Sequence, residues 1–447
     1  MTALAAALAL LLAVPPAEGP PAAPTATTVL DPPRLRGMPP VASMTLPEAL
    51  AELDRQNPTL EEAKARAAAA LGVVKQAAAP LLPNLAVGGG YFHNNASVII
   101  TAPEGGALSR IYIQPLDAWQ ASAGLRVPLI VPEAWFSVSA ARDAALAAAE
   151  ASDATRLTVR AALVQAAWTA WAGDEIVAAS ERAVASARSQ ADSARRLLQA
   201  GTSTSLAVLQ AETSATRRES DLVAARSERS RARIAVGVLL GRPDPVSIRM
   251  PAMAVAESYD VESLFQQALE ARPELRAQAA VVRSYEKQKS AALWRLAPQI
   301  SASGTAQTQT VPFPTGEQAG WRVSVDLTWT LYDGGYRYGR ADQAAAQASE
   351  ARAAETGTRI QVLQEVQNAA RDVEVARQRL ALALQERDTA SAAAASAKRG
   401  FGEGLSSSLD VLAANDILYL AEIQVATSSA RLGGSLAALD RAVGRSP

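Results

Sequence analysis

The sequence predicts a mainly α-helical chain with a small complement of membrane β-strands, built as two copies of one unit of strands and a long helical hairpin. Three observations carry this. Hydrophobic residues make up 49% of the 447-residue chain but aromatics only 4%, so the apolar share is mostly Ala, Leu and Val, which suits long, closely packed helices. The chain aligns with itself over most of its length. Two stretches, Trp119 to Leu129 and Trp321 to Leu331, alternate apolar and polar residues with Trp at or near their ends.

The elements follow in order. Thr2 to Val14 is apolar and precedes Pro15, Pro16 and Ala17, which reads as a secretory leader, although no Lys or Arg precedes it. Pro15 to Pro40 holds nine prolines, so residues 1–43 are expected to be leader and extended arm. No later stretch reaches the roughly 18 uncharged apolar residues of a spanning helix, so any membrane crossing must be made by strands.

The first repeat is assigned to residues 44–241. Asn57-Pro58 reads as N-cap and first turn of a helix, with Glu61 and Glu62 following, and Pro83 ends the rising segment. Leu85 to His93 is a Gly-rich strand candidate and Trp119 to Leu129 a stronger one. From Pro132 to Ala200 the residues Leu157, Ala161, Val164, Trp168 and Trp171 recur at spacings of four and three, a heptad seam on a helix of about 100 Å. A second helix returns from Ser205 to about Leu240.

Residues 242–260, with Pro243, Pro245 and Pro251, read as a connector, and residues 261–447 as the second repeat. A shift of 215 places Leu46, Leu50, Pro58 and Leu60 on Val261, Phe265, Pro273 and Leu275; a shift of 203 places Gly201 to Leu209 on Gly404 to Leu412. The smaller second shift implies a longer loop in the first copy between Pro83 and Leu125. Here Ile300 to Gln307 and Trp321 to Leu331 are the strands, and Asp333-Gly334-Gly335 supplies a capping carboxylate and a flexible backbone. Val362, Val366, Ala369, Val373, Ala376, Leu380 and Ala383 form the seam of a helix from about Gly335 to Lys398, and Ser408 to Val443 returns.

Composition removes several function classes. With 43 basic and 44 acidic residues the formal charge is −1, which leaves no basic field for nucleic acid. Cysteine is absent and His93 is the only histidine, so disulfides, thiolate metal sites and cysteine nucleophiles are excluded, and no cofactor, metal or catalytic residue is expected. His93 and the Trp168/Trp171 pair read better as structural residues than as a site.

Period-two patterning alone fits a half-buried sheet as well as a membrane one; the length of the strands and their terminal Trp favour the membrane. Four strands cannot close, and open edges in hydrocarbon leave backbone groups unpaired at several kcal/mol each. Two chains would pool eight strands and three would pool twelve.

The Asn57-Pro58 and Arg272-Pro273 elements, the Leu331-Tyr332-Asp333-Gly334-Gly335 junction and the two Gly-x-Ser-x-x-Leu-x-Val-Leu turns, in duplicated order from Met44 to Gly444, resemble the outer membrane efflux proteins, the TolC-like channels of Gram-negative bacteria. The resemblance implies a homotrimer with a twelve-stranded barrel in outer membrane lipid, continuous with a periplasmic α-helical barrel. It also implies a passive duct of a tripartite efflux or type I secretion system, docked to a periplasmic adaptor protein and an inner-membrane transporter.

The same resemblance assigns the hairpin tips, Arg196, Gly201, Thr202 and Ser203 with Arg399, Gly404, Leu405 and Ser406, to adaptor docking. It assigns Phe401, Leu409 and Asp410 to the pore gate. Phe401, Ser406 and Ala413 stand where some members have a gating Tyr, an Arg and a second Asp, so a packing contact involving Phe401 and Leu409 is expected to dominate closure. Asp410 fits equally well as a pore-facing acid or as a partner of its helix N-terminus. The reading from another class is a soluble periplasmic coiled-coil protein with structural or adaptor duties; an enzyme ranks below both.

Overall fold

The computed structural model describes residues 41–104, 107–253, 259–311 and 317–446; most of the stretch expected to be leader and Pro-rich arm, residues 1–40, lies outside the described residues. Strand β1 (Ala42–Thr45) leads into α1 (Leu46–Gln56) and α2 (Pro58–Ala78). Thr45 and Glu48 form a capping box on α1, and the Asn57 side chain accepts from the Leu60 amide to start α2. A short 3₁₀ turn precedes β2 (Asn84–His93), and β3 (Val98–Glu104), β4 (Ala107–Gln114) and β5 (Asp117–Ile130) follow. Helices α3 (Pro132–Gln199) and α4 (Ser205–Leu239) form the first hairpin. The second copy runs β6 (Val246–Arg249), α5 (Val261–Ala271), α6 (Pro273–Trp294), β7 (Gln299–Gln309), β8 (Ala319–Thr328), α7 (Tyr336–Gly402) and α8 (Ser408–Val443).

The duplication recurs in the packing. One buried cluster holds Ala49, Leu53, Leu60, Leu163, Ala167, Ala170, Val236 and Leu240; the other holds Leu264, Ala268, Leu275, Val366, Ala370, Val373, Leu439 and Val443. These are the same positions, related by 215 for the first three and by 203 for the rest. Ala dominates the long seams, which lets helix axes approach closely along their whole length.

Several local expectations differ from what is observed. The extra length in the first copy is the β3–β4 hairpin, which carries no clean alternation: Val98, Ile99 and Ile100 are consecutive. The 242–260 stretch contains β6, which pairs in parallel with β1, so this connector is tied to the start of the first repeat. The capping carboxylate expected at the start of α7 is present: Gly335 takes the N-cap position at φ 89°, and Asp333 reaches over it to accept from the Arg337 amide and Nε.

Asp54 on α1 accepts hydrogen bonds from Arg156 and Arg160 on α3. Burial pushes its carboxyl up, but the two guanidinium groups outweigh it and hold the value at about 2, against an ordinary 3.8. A carboxyl depressed on folding stabilises the fold above its unfolded value and loses that contribution as pH falls through the folded one. Lowering the pH from about 4 to about 2 is therefore expected to remove about 2 kcal/mol at this contact. Asp54→Asn should show a shallower acid transition by circular dichroism over that range.

Strands β2, β5, β7 and β8 make one antiparallel sheet in that order, so among the described residues β2 and β8 are each paired on one side only. Its register sorts the side chains. Leu85, Val87 and Tyr91 align with Leu125, Ala123 and Trp119, and onward through Gly304 and Ala306 to Val323 and Trp321. That face carries no charge between its ends, and Val87, Trp321, Val323, Val325 and Leu327 are all exposed. The other face holds Gln120, Ser122, Arg126, Ser303, Thr305, Gln307, Arg322, Ser324 and Asp326. The Ser303 and Ser324 hydroxyls lie 2.8 Å apart, and each is within hydrogen-bond distance of the Asp326 carboxylate, at 3.2 and 2.9 Å. Tyr91, Trp119 and Trp321 sit toward one end of the greasy face, and Trp329, Tyr332 and Tyr336, all exposed, follow in the chain just beyond its other end.

Candidate functional site

The hairpin tips are two copies of one turn. Where α3 ends, Gly201 takes φ 74°, its amide donates to Leu198 and the Thr202 amide donates to Leu197. Where α7 ends, Gly404 takes φ 77°, its amide donates to Phe401 and the Leu405 amide donates to Gly400. This paired pattern satisfies the last carbonyls of a helix and needs a left-handed residue, which explains the glycine in both copies. Thr204 and Ser407 then cap α4 and α8 through their hydroxyls.

The copies differ in what the turn presents. Arg196, Gly201, Thr202, Arg399, Gly404 and Leu405 are exposed, whereas Ser203 and Ser406 are half-buried. Thr202 spends its hydroxyl on the Leu197 carbonyl, and Arg196 donates to Ser193. Gly400 has no room for a Cβ because the Ser406 hydroxyl lies against it. Leu405 is 81% exposed, the larger apolar offering of the two tips.

Asp410 is held in a capping box: its Oδ2 accepts from the Ser407 hydroxyl at 2.7 Å and the Ser407 amide at 2.8 Å. Those bonds lower its pKa, the hydroxyl contributing most, so it is ionised in neutral solution. The repeat partner Ala207 has no such carboxylate. Within one chain Leu409 is 58% exposed and Phe401 half-buried, and neither joins a buried cluster. In one chain the expected Phe401–Leu409 closure is therefore not a core contact.

A cross-hairpin tie above the tips was not read from the sequence. Arg218 of α4, 6% exposed, donates to Asp221 at 2.9 Å and to Asp416 of α8 at 2.8 Å, with its guanidinium 4.6 Å from the Tyr419 ring centre. Tyr419 in turn shares a hydrogen bond with Ser180 of α3. Arg218, Asp416 and Tyr419 line a cavity of about 190 Å³ between α3, α4 and α8. The Arg217-Arg218-Glu219 run resembles any solvated helix face, and the partner lies 198 residues away.

Among the described residues no helix is long and apolar enough to cross a membrane, and no group of three or more His, Asp or Glu could hold a metal ion. Trp168 and Trp171 meet edge to face at 5.5 Å inside the helical core. His93 contacts Asp117 at 2.7 Å near the end of the sheet.

Comparison with curated protein sequences finds no match. Solved structures with the same fold include the outer membrane protein VceC of Vibrio cholerae, 20% identical over 90% of this chain and 96% of that one, with a TM-score of 0.74. They also include the CmeC outer membrane channel of Campylobacter jejuni, at 16% identity, 96% and 94% coverage and a TM-score of 0.76. The open-state MtrE outer membrane channel of Neisseria gonorrhoeae is 19% identical over 90% and 89%, with a TM-score of 0.73. The family described as "Outer membrane efflux protein" matches residues 49–242 and 264–445, one stretch in each repeat. With the open apolar sheet and the paired hairpins beneath it, that match places the chain in the outer membrane efflux protein family, as an efflux channel of the Gram-negative outer membrane.

Proposed function

We propose that three copies of the chain pool their sheets into one twelve-stranded barrel and their hairpins into a helical tunnel, a passive exit duct with no catalytic role. The observation that carries this is the four-stranded sheet, apolar on one face and polar on the other, with an unpaired strand at each edge. Each edge must pair if the apolar face meets lipid. Two copies would give eight strands, a barrel whose interior side chains fill it, whereas twelve leave an aqueous lumen for the polar face. Helix α3 runs directly from β5 for 68 residues, about 100 Å, far enough to carry the duct away from the membrane.

The energy for transport comes from an inner-membrane transporter, reached through a periplasmic adaptor protein. Arg196, Gly201, Thr202 and Ser203, with Arg399, Gly404, Leu405 and Ser406, form the docking tips, supported by the exposure of most of them and by the rigid glycine turns. Leu409 and Asp410, with Phe401 behind them, gate the narrow end, the ionised Asp410 giving a ring of three charges that favours cations. Single-channel recording should show higher resting conductance for Leu409→Ala and weaker cation preference for Asp410→Asn. If neither changes, the gate lies elsewhere. Replacing Gly201 and Gly404 with Val should abolish adaptor cross-linking in protein that still reaches the outer membrane; undiminished cross-linking would remove the tips from the docking surface.

A further inference from the structure

The polar face of the membrane sheet is not electrically neutral. Along β2, β5, β7 and β8 it carries three charged side chains, Arg126, Arg322 and Asp326. Asp326 is engaged by the Ser303 and Ser324 hydroxyls against the wall. Among the described residues neither Arg126 nor Arg322 has a hydrogen bond or ion pair, and both are exposed. Their levels are close: Arg126 aligns through Ser303 with Ser324, two residues along β8 from Arg322. Asp326 lies two residues from Ser324 in the other direction, nearer the helical hairpins.

From this juxtaposition, and resting on the exit-duct reading above, we infer that Arg126 and Arg322 form an anion-selecting collar in the membrane lumen, which favours anionic solutes and the anionic ends of cargo. Three copies place six guanidinium groups against three carboxylates. Twelve strands spaced about 4.8 Å apart and tilted about 40° close at a radius of about 12 Å. An extended arginine reaches roughly half of that toward the axis. The charged heads therefore stand within one Debye length of the axis, about 8–10 Å at 0.10–0.15 M salt, so the centre of the lumen feels all six. The guanidinium groups are free of structural partners, so their charge is available to solute. Solute entering from outside meets Arg322 before Arg126 and Asp326.

Ferrocyanide, a compact tetra-anion, is the probe. Added to the barrel side of full-length protein in a planar bilayer at 0.1 M KCl, it should block current, and the block should fade as KCl is raised toward 1 M. The double variant Arg126→Gln with Arg322→Gln should need at least ten-fold more ferrocyanide for half block. Arg126→Lys with Arg322→Lys should retain the native value, because charge rather than hydrogen-bond geometry does the work, and Asp326→Asn should strengthen block. A double Gln variant that conducts normally and is blocked at the native concentration would overturn the collar while leaving the channel standing. Absence of any current from native protein would overturn the duct itself and the collar with it.

Discussion

Val323→Arg is expected to prevent stable assembly in the outer membrane, while Gln307→Arg, on the same sheet, is expected to be tolerated. Val323 sits mid-strand on β8 opposite Gly304, the middle residue of β7, and is 71% exposed on the apolar face. If that face meets hydrocarbon, arginine there costs about 2–4 kcal/mol per copy near the midplane, and about 6 kcal/mol or more over three copies. Gln307 points to the other face, two residues along β7 from Thr305, which aligns with Arg322, so arginine there enters water and adds to a lumen that already holds that charge type. The measurement is the amount of oligomer that resists unfolding by urea in isolated outer membranes. Equal amounts for both variants would remove lipid from the apolar face and with it the need for a shared barrel.

The contrast between these neighbouring faces was legible in the sequence because a strand writes its two sides into odd and even positions. The two Trp-ended stretches became β5 and β8, with ends shifted by at most three residues. The long helices were legible for a related reason: a seam of Ala, Val and Leu at spacings of three and four runs unbroken, and the glycine and hydroxyl residues at the tips punctuate it. What was hidden depends on distance or on broken pattern. The β3–β4 hairpin lacks alternation over Val98, Ile99 and Ile100, so only the change in repeat shift betrayed its presence. Asp333 supplies the capping carboxylate that the sequence suggests, reaching the Arg337 amide across Gly334 and Gly335, whose positive φ lets the chain turn before the helix begins. The Arg218–Asp416 tie was invisible because helix-surface arginines are common and nothing local marks the buried one. Of the residues proposed for the gate, Asp410 has a local structural duty as well as a charge, so losing its carboxylate alters both the cap and the proposed ring.

A second hidden feature is the Gly433-Gly434 pair, and Gly433→Ala is expected to destabilise the protein where Gly434→Ala stabilises it. Both glycines lie inside α8, where alanine gains about 1 kcal/mol from helix propensity. A Cβ on Gly434 would make ordinary contact with Gln165 at 3.4 Å, a flexible side chain, so that gain should survive. A Cβ on Gly433 would lie inside the Trp168 indole. That ring cannot retreat, being buried with Val164 and Ala437 and braced edge to face by Trp171. Overpacking of this kind costs about 1–3 kcal/mol, enough to reverse the sign. The repeat partners of the pair are Ser230 and Arg231, and that of Trp168 is Arg371, so the contact exists only where α3 of the first hairpin meets α8 of the second. Trp168 stands 31 residues before the end of α3 at Gln199, about 45 Å from the tip. A helix displaced at this point swings both hairpins at the end of a long arm, so Gly433→Ala should also raise resting conductance in bilayers. Urea midpoints that move in the same direction for both variants, with unaltered conductance, would show that the indole yields and that the two hairpins are set in place elsewhere.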